Sequence, residues 1–209
     1  MQDVRLWLPM AANFGTTQYD FSGSANDSIA SNTVWTNAYG GGLPFNGTTS
    51  RIIRSNIAGL SATNNATWIF VFRLNSYGGG GAGRLAGVYD NTAAGYFINA
   101  FTNNSRFYNG QAGQSVTTPY NTVPTNQIVR LTWTRNGTAV VGYTGGVRVV
   151  SGSIGANIIA LSSPLAIGCN YADTTRTIDG TMYLFSYCGR ALSSNEVWTV
   201  DQSIKGAYP

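Results

Sequence analysis

Between Gln127 and Val150 apolar and polar residues alternate at period two on both sides of Asn136-Gly137, and Gly145-Gly146 reverses the chain again into Val147-Arg-Val-Val150. Period two is the signature of a strand, because successive side chains leave opposite faces of a pleated backbone. Asn and Gly tolerate positive φ, which a two-residue type I′ turn requires at both central positions, so Asn136-Gly137 is the expected hairpin turn. The segment predicts a three-strand antiparallel meander whose register is set by its turns. A chain built around such a meander is an all-β sheet protein.

Other stretches extend the strand series. Val4–Leu8 is a short opening strand stopped by Pro9, and Thr67–Leu74 is almost continuously apolar, as a central strand covered on both faces must be. Leu43–Phe45 and Ser50–Arg54 flank a turn at Asn46-Gly47. Arg84–Tyr89, Tyr96–Phe101 and Arg106–Tyr108 follow, with Asn109-Gly110 as a further turn; Pro164–Gly168 and Thr181–Tyr187 close the series. Residues 10–40 are rich in Asn, Ser, Gly and Thr without periodicity, and read as an extended, loop-rich surface segment of one domain spanning 1–209. Gly78–Gly81 reads as a mobile loop, since four glycines hold strand geometry poorly and no phosphate-cradle Lys-Ser/Thr follows. Ser193-Ser-Asn-Glu196 fits a capping box and starts a helix towards Ile204, the one helix expected.

Composition narrows the chemistry. The chain has 209 residues, no histidine, one glutamate (Glu196) and one lysine (Lys205). A histidine base, a histidine-ligated metal and a Ser-His-Asp triad are therefore excluded. The single glutamate is accounted for by the helix cap, and the aspartates are scattered, so an enzyme is not expected. Only 10% of residues are charged, leaving solubility to Asn, Thr, Ser and Gly. The net charge of +4 comes from single arginines spaced along strands at outward positions, whereas nucleic-acid binders concentrate charge on one face or tail; nucleic acid is not an expected partner.

Cys169 and Cys188 end two predicted strands and could be bonded only if those strands are neighbours. No apolar stretch approaches the length of a membrane span and no charged leader precedes an apolar run, so neither membrane insertion nor a signal peptide is expected.

Several segments, in order, carry a family resemblance: Asp20-Phe-Ser-Gly23, Gly42-Leu-Pro-Phe-Asn-Gly47 followed by Ser50-Arg-Ile52, Thr67–Phe72, Ile128–Thr134 with Asn136-Gly137, and Val141–Gly145. Leu165–Gly168, Asp179–Tyr187, Arg190-Ala-Leu-Ser193 and Glu196-Val197 complete the set. Together they resemble the concanavalin A-like lectin/glucanase superfamily, specifically its laminin-G-like domains, over roughly residues 20–200, with Arg190–Glu196 the most specific piece. The resemblance implies a two-sheet antiparallel jelly-roll sandwich with Trp68 and Trp133 in its core. Met182 and Tyr183 stand near the place of the family's paired acids, and the glutamate-rich strand of its glycosidases has no counterpart. It thus implies a binding or structural module.

Glycan recognition needs aromatic faces for stacking and amides or carboxylates for hydroxyl groups. Candidate aromatic residues are Trp35, Tyr39, Tyr77, Tyr89, Tyr96, Tyr108, Tyr120 and Tyr171. The two neighbourhoods that combine both chemistries are Tyr89-Asp90-Asn91 and Asn170-Tyr171-Ala-Asp173. No metal ligands are assigned; calcium is the ion that Asp20, Asp27, Asp90, Asp173 and Asp179 would suit, without a regular oxygen spacing. Two functions follow. The first is a non-enzymatic structural or decoration protein on the surface of a virus particle, a tailed phage by resemblance. It would be made in the host cytoplasm, be extracellular as part of the particle, and bind virion or capsid proteins or copies of itself. The second is a lectin or adhesin recognising cell-surface or environmental glycans.

Overall fold

The computed structural model describes residues 3–10, 15–37, 41–55, 64–89, 95–109, 113–155, 163–171 and 175–208. Its elements in chain order are β1 (Val4–Pro9), β2 (Thr17–Gln18), β3 (Ser28–Ser31), β4 (Leu43–Asn46), β5 (Arg51–Arg54), β6 (Asn65–Ser76), β7 (Ala82–Val88) and β8 (Tyr96–Phe101). They continue with β9 (Asn104–Asn109), β10 (Gln114–Thr117), β11 (Ile128–Asn136), β12 (Ala139–Thr144), β13 (Val147–Ser153), β14 (Leu165–Ile167), β15 (Asp179–Cys188) and the helix α1 (Ser194–Lys205). Two antiparallel sheets result. One runs β1-β15-β6-β11-β12-β13, with β4 also on β15; the other runs β10-β9-β8-β7-β14-β5-β3-β2. This is the two-sheet jelly-roll sandwich with one C-terminal helix expected from the sequence.

The apolar run of β6 explains the layering. Trp68, Phe70, Phe72 and Leu74 point between the sheets, while Ile69 and Val71 point the other way, under α1 with Tyr143, Leu192, Val197 and Ile204. The first sheet is thus covered on both faces, which a strand apolar at every position requires. Trp68 and Trp133 are directly paired across β6 and β11 and wholly buried. Each indole N–H is satisfied: Trp68 Nε1 donates to the Tyr96 hydroxyl at 2.9 Å and Trp133 Nε1 to Ser105 Oγ at 3.1 Å. Burial without such partners would cost each polar group about 1–3 kcal/mol.

The β11–β12–β13 meander is present, with one correction. Asn136 pairs with Ala139, so the two-residue turn is Gly137-Thr138, and of these only Gly137 has positive φ, at 60°. Glycine alone at the first central position is the type II′ pattern. The type I′ requirement is met one turn later, where Gly145 and Gly146 have φ of 56° and 77° between Thr144 and Val147.

Two other expectations change, and the cysteine pairing left open by the sequence is resolved. The 10–40 segment contributes β2 and β3 to the second sheet, and Asp20 ties it to β1: Oδ1 accepts from the amides of Trp7 and Ser22, Oδ2 from Ser22 Oγ and the amide of Asn26. Gly78–Gly81 is a tight turn rather than a loose loop. It packs so closely on residues 175–178 that a Cβ on Gly79 would lie 2.1 Å from the Thr175 carbonyl oxygen. Cys188 ends β15 in the first sheet and Cys169 follows β14 in the second; both are buried and are not disulfide-bonded, because the strands do not neighbour one another. The Asn109-Gly110 turn extends into residues outside those described.

Candidate functional site

The two outer faces of the sandwich differ. The first sheet's is covered by α1. No described helix covers the second sheet's, whose side chains are identified by alternation: Ile52, Ile98, Ala100 and Phe107 are in the core, so Ile53, Phe97, Asn99 and Tyr108 face outward. Strand pairing aligns them into two rows. One is Ile29–Ile53–Ala166–Gly87–Phe97–Tyr108–Ser115, and the other is Arg84–Asn99–Arg106–Thr117.

On β7–β9 these rows form an interlocked layer of rings and guanidinium groups. Phe97 stacks on Tyr108 with centroids 4.5 Å apart, and Tyr89 meets both edge-on. The Arg84 guanidinium lies 4.1 Å above Phe97 and 4.8 Å from the Tyr89 ring, and Arg106 lies over Phe101 and Tyr108 at 5.0 and 5.8 Å. Such contacts are each worth about 0.5–2 kcal/mol, more when desolvated. Burial holds the Arg106 guanidinium below the ordinary arginine range; Tyr108 opposes this and Arg176 adds repulsion.

Arg84 also connects this layer to the other half of the face. Its Nη1 donates to Asn170 Oδ1, which fixes the chain just past β14 and sets Tyr171 at the rim of a depression. The depression has a volume of about 530 Å³ and is lined by Ile29, Ser31, Arg51, Ile53, Ser55 and Tyr171. Ile29 and Tyr171 are 53% and 42% exposed, a large apolar offering for a protein surface this polar. Arg51 lies opposite Ser31 in the β3–β5 pairing, and its Nε is buried with no hydrogen-bond partner among the described residues. Among the described residues, no carboxylate lines the depression.

The sequence candidates are sorted by this geometry. Tyr171 is exposed at the site. Asn170 is on the same face but buried, its carbonyl oxygen taken by Arg84, so it positions rather than presents. Tyr89 belongs to the ring layer. Asp90, Asn91 and Asp173, as well as Tyr39, lie outside the described residues. Tyr96 is wholly buried beneath Trp68 and is not a surface aromatic; it is in phase with Ile98 and Ala100, a signal legible in the alternation of β8. Tyr77 donates to Asn103 Oδ1 and to the Val123 carbonyl, whereas Tyr120 is 65% exposed away from the depression's lining.

Arg51, Ile53 and Ile29 were not singled out by sequence, since their grouping depends on a strand register that only the turn chemistry between sheets would reveal. The arginines are also not uniformly outward: Arg135, in phase with Leu131 and Trp133, is buried. Among the calcium candidates, Asp20 spends its oxygens on the amides of Trp7, Ser22 and Asn26 and the Ser22 hydroxyl, Asp27 Oδ1 accepts from the Asp20 amide, and Asp179 accepts from Asn75 and Ser76. No group of three or more Cys, Asp or Glu side chains that could hold a metal ion occurs among the described residues.

A second depression, of about 260 Å³, lies beside α1 and is lined by Arg190, Leu192, Asn195, Glu196, Thr199 and Val200. Here the charge is already balanced, since Arg190 is bidentate on Glu196 at 2.6 and 3.1 Å.

No family model and no curated protein matches the sequence. Solved structures do share the fold. The binding domain of Paraclostridial Mosquitocidal Protein 1 superposes with a TM-score of 0.76 at 18% identity, over 97% of this chain and 52% of that one. Domain 4 of AbnA, a GH43 extracellular arabinanase from Geobacillus stearothermophilus, solved in complex with arabinotriose, has a TM-score of 0.74 at 16% identity over 96% of this chain and 98% of that one. The binding domain of Botulinum Neurotoxin DC in complex with SialylT has a TM-score of 0.75 at 16% identity, over 97% and 52%. This chain spans about half the length of the toxin domains and nearly all of the arabinanase domain. The class defined is a two-sheet β-sandwich domain.

Proposed function

We propose that this chain is a non-enzymatic carbohydrate-binding module that holds glycans on the outer face of its second sheet. The observation that carries the reading is the depression beside Tyr171, where apolar walls, two serine hydroxyls and an arginine converge on one open volume. Pockets of this size, about 300–1,000 Å³, with a few convergent polar groups are the common form of a small-ligand site. Likeness in fold to an arabinanase domain that binds arabinotriose supports the reading. A chain without histidine, whose one glutamate is bound to Ser193 and Arg190, offers recognition without a proton shuttle.

A structural role on a virus particle, outside the cell and in contact with other virion proteins, is the second reading. It is favoured by a low charge content and by an exposed apolar spot where the Gly145-Gly146 turn abuts Trp198, with Val147 57% and Trp198 49% exposed. Co-sedimentation with purified particles tests it; a chain that stays in the supernatant rules it out.

Calorimetric titration with a panel of neutral and acidic oligosaccharides, arabinotriose included, tests the first reading. The expected result is saturable binding to at least one, weakened about three- to tenfold by Tyr171→Ala, as the loss of one aromatic platform implies. A blank panel at millimolar ligand contradicts it.

A further inference from the structure

Within the carbohydrate-binding reading, on which this step rests, we infer that the depression selects an acidic sugar unit, with Arg51 as its anion anchor. A guanidinium carries five N–H donors in a planar fork, and it is matched by two oxygens of a carboxylate or sulfate. Arg51 Nε is removed from solvent, and no described residue offers it a hydrogen-bond partner, so none of them compensates its desolvation.

The described carboxylates are engaged elsewhere. Asp3 and Glu196 pair with Arg190, Asp201 with Arg130, Asp20 and Asp27 accept from backbone amides, and Asp179 accepts from the side chains of Asn75 and Ser76. Among the described residues no carboxylate completes Arg51, which leaves that place to an anionic group of the ligand. Its surroundings point to a sugar rather than a bare ion. Ile29 and Ile53 form an apolar floor, Tyr171 stands at the rim, and Ser31 and Ser55 offer hydroxyls to ring hydroxyls. A volume of about 530 Å³ also exceeds what one inorganic anion fills. Arg84 and Arg106 on the same face add positive potential that favours approach of an acidic chain.

The site beside α1 shows the contrast. There Arg190 already holds Glu196, and an incoming anion would have to displace an internal carboxylate.

The test uses the full chain and three probes: trigalacturonate, its fully methyl-esterified form, and sodium sulfate. Esterification keeps ring shape and hydroxyls while removing the charge. The acid is expected to bind at least about tenfold more tightly than the ester, because a charge-assisted bidentate contact is worth that or more. Arg51→Gln should abolish the preference, whereas Tyr171→Ala should weaken both forms alike and keep their ratio. Arg148→Gln, on β13 of the other sheet, should change neither. Unchanged thermal midpoints establish that the variants are folded; should Arg51→Gln not fold, the wild-type ratio and Arg51→Lys decide.

Equal binding of acid and ester overturns the acidic preference while leaving glycan binding intact. Sulfate binding as tightly as trigalacturonate reduces the site to an anion site and overturns it too. No binding by either sugar overturns it as well, and a blank neutral panel alongside would bring down the broader reading.

Discussion

Single side chains in this protein tend to serve several backbone groups at once. Asp20 holds four donors, and Asn46 Oδ1 accepts from the amides of Thr48, Thr49 and Ser50 at 2.8–3.1 Å, closing the turn that carries the chain from one sheet to the other. Glu196 is loaded to the same degree. It accepts from Arg190 and from the amide and hydroxyl of Ser193, while Ser193 Oγ accepts from the Glu196 amide. The hydrogen bonds from Arg190, then those from Ser193, hold its carboxyl at about 2, below the ordinary 4.5. A depressed folded value means the stabilisation is complete above about 4.5 and is lost as pH falls towards 2. The group is largely exposed, so solvent screens the pair and the ionic share stays below about 1 kcal/mol, with a similar contribution from the cap. Thermal unfolding of the chain and of Glu196→Gln across pH should therefore show a constant gap above pH 5 that closes by about pH 2. A gap independent of pH would mean that ionisation of Glu196 is not involved.

At the scale of elements, what was legible in the sequence is what is encoded locally. The capping box of α1 and the two-faced apolar run of β6 follow from residue type and spacing, the inward indoles of β6 and β11 are implied by the family resemblance, and the structure has all of them. The pieces that escaped depend on partners distant in sequence. β2 and β3 are only two and four residues long, too short for periodicity to appear among Asn, Ser and Gly. The turn at 137–138 shifted by one because Asn136 stays paired to Asn65 and Ala139. The Gly78–Gly81 turn looked loose for want of side chains, yet that lack permits its contact with residues 175–178. It places β7 so that the Arg84 amide donates to the Arg176 carbonyl at 2.8 Å and Gly79 to the Thr177 carbonyl at 3.0 Å. Gly79→Ala would drive a methyl group into that backbone, so a loss of more than about 1 kcal/mol is expected in urea unfolding. A variant with an unchanged midpoint would show that the turn can move freely.

The whole molecule is asymmetric. A helix seals one outer face of the sandwich, and the other carries rings and arginines, with Arg84 and Asn170 bridging its two halves. Alternation and turns announce an all-β chain whatever its ligand, and the two-sheet jelly roll is implied by the family resemblance. The site could be read only in part: Tyr171 was identifiable as an aromatic residue among amides, but Arg51 and Ile53 join it only once β14 has paired with β5. Fold likeness to carbohydrate-bound and toxin binding domains leaves open which face of a sandwich is used, whereas the depression that joins Arg51, Ile29 and Tyr171 favours the second sheet's. Amide chemical-shift mapping during titration with an acidic oligosaccharide tests that assignment most directly. The expected perturbations cluster on Ile29, Ser31, Arg51, Ile53 and Tyr171, with α1 silent. Shifts centred on Arg190–Val200, or a spectrum that does not change at saturating sugar, would contradict it.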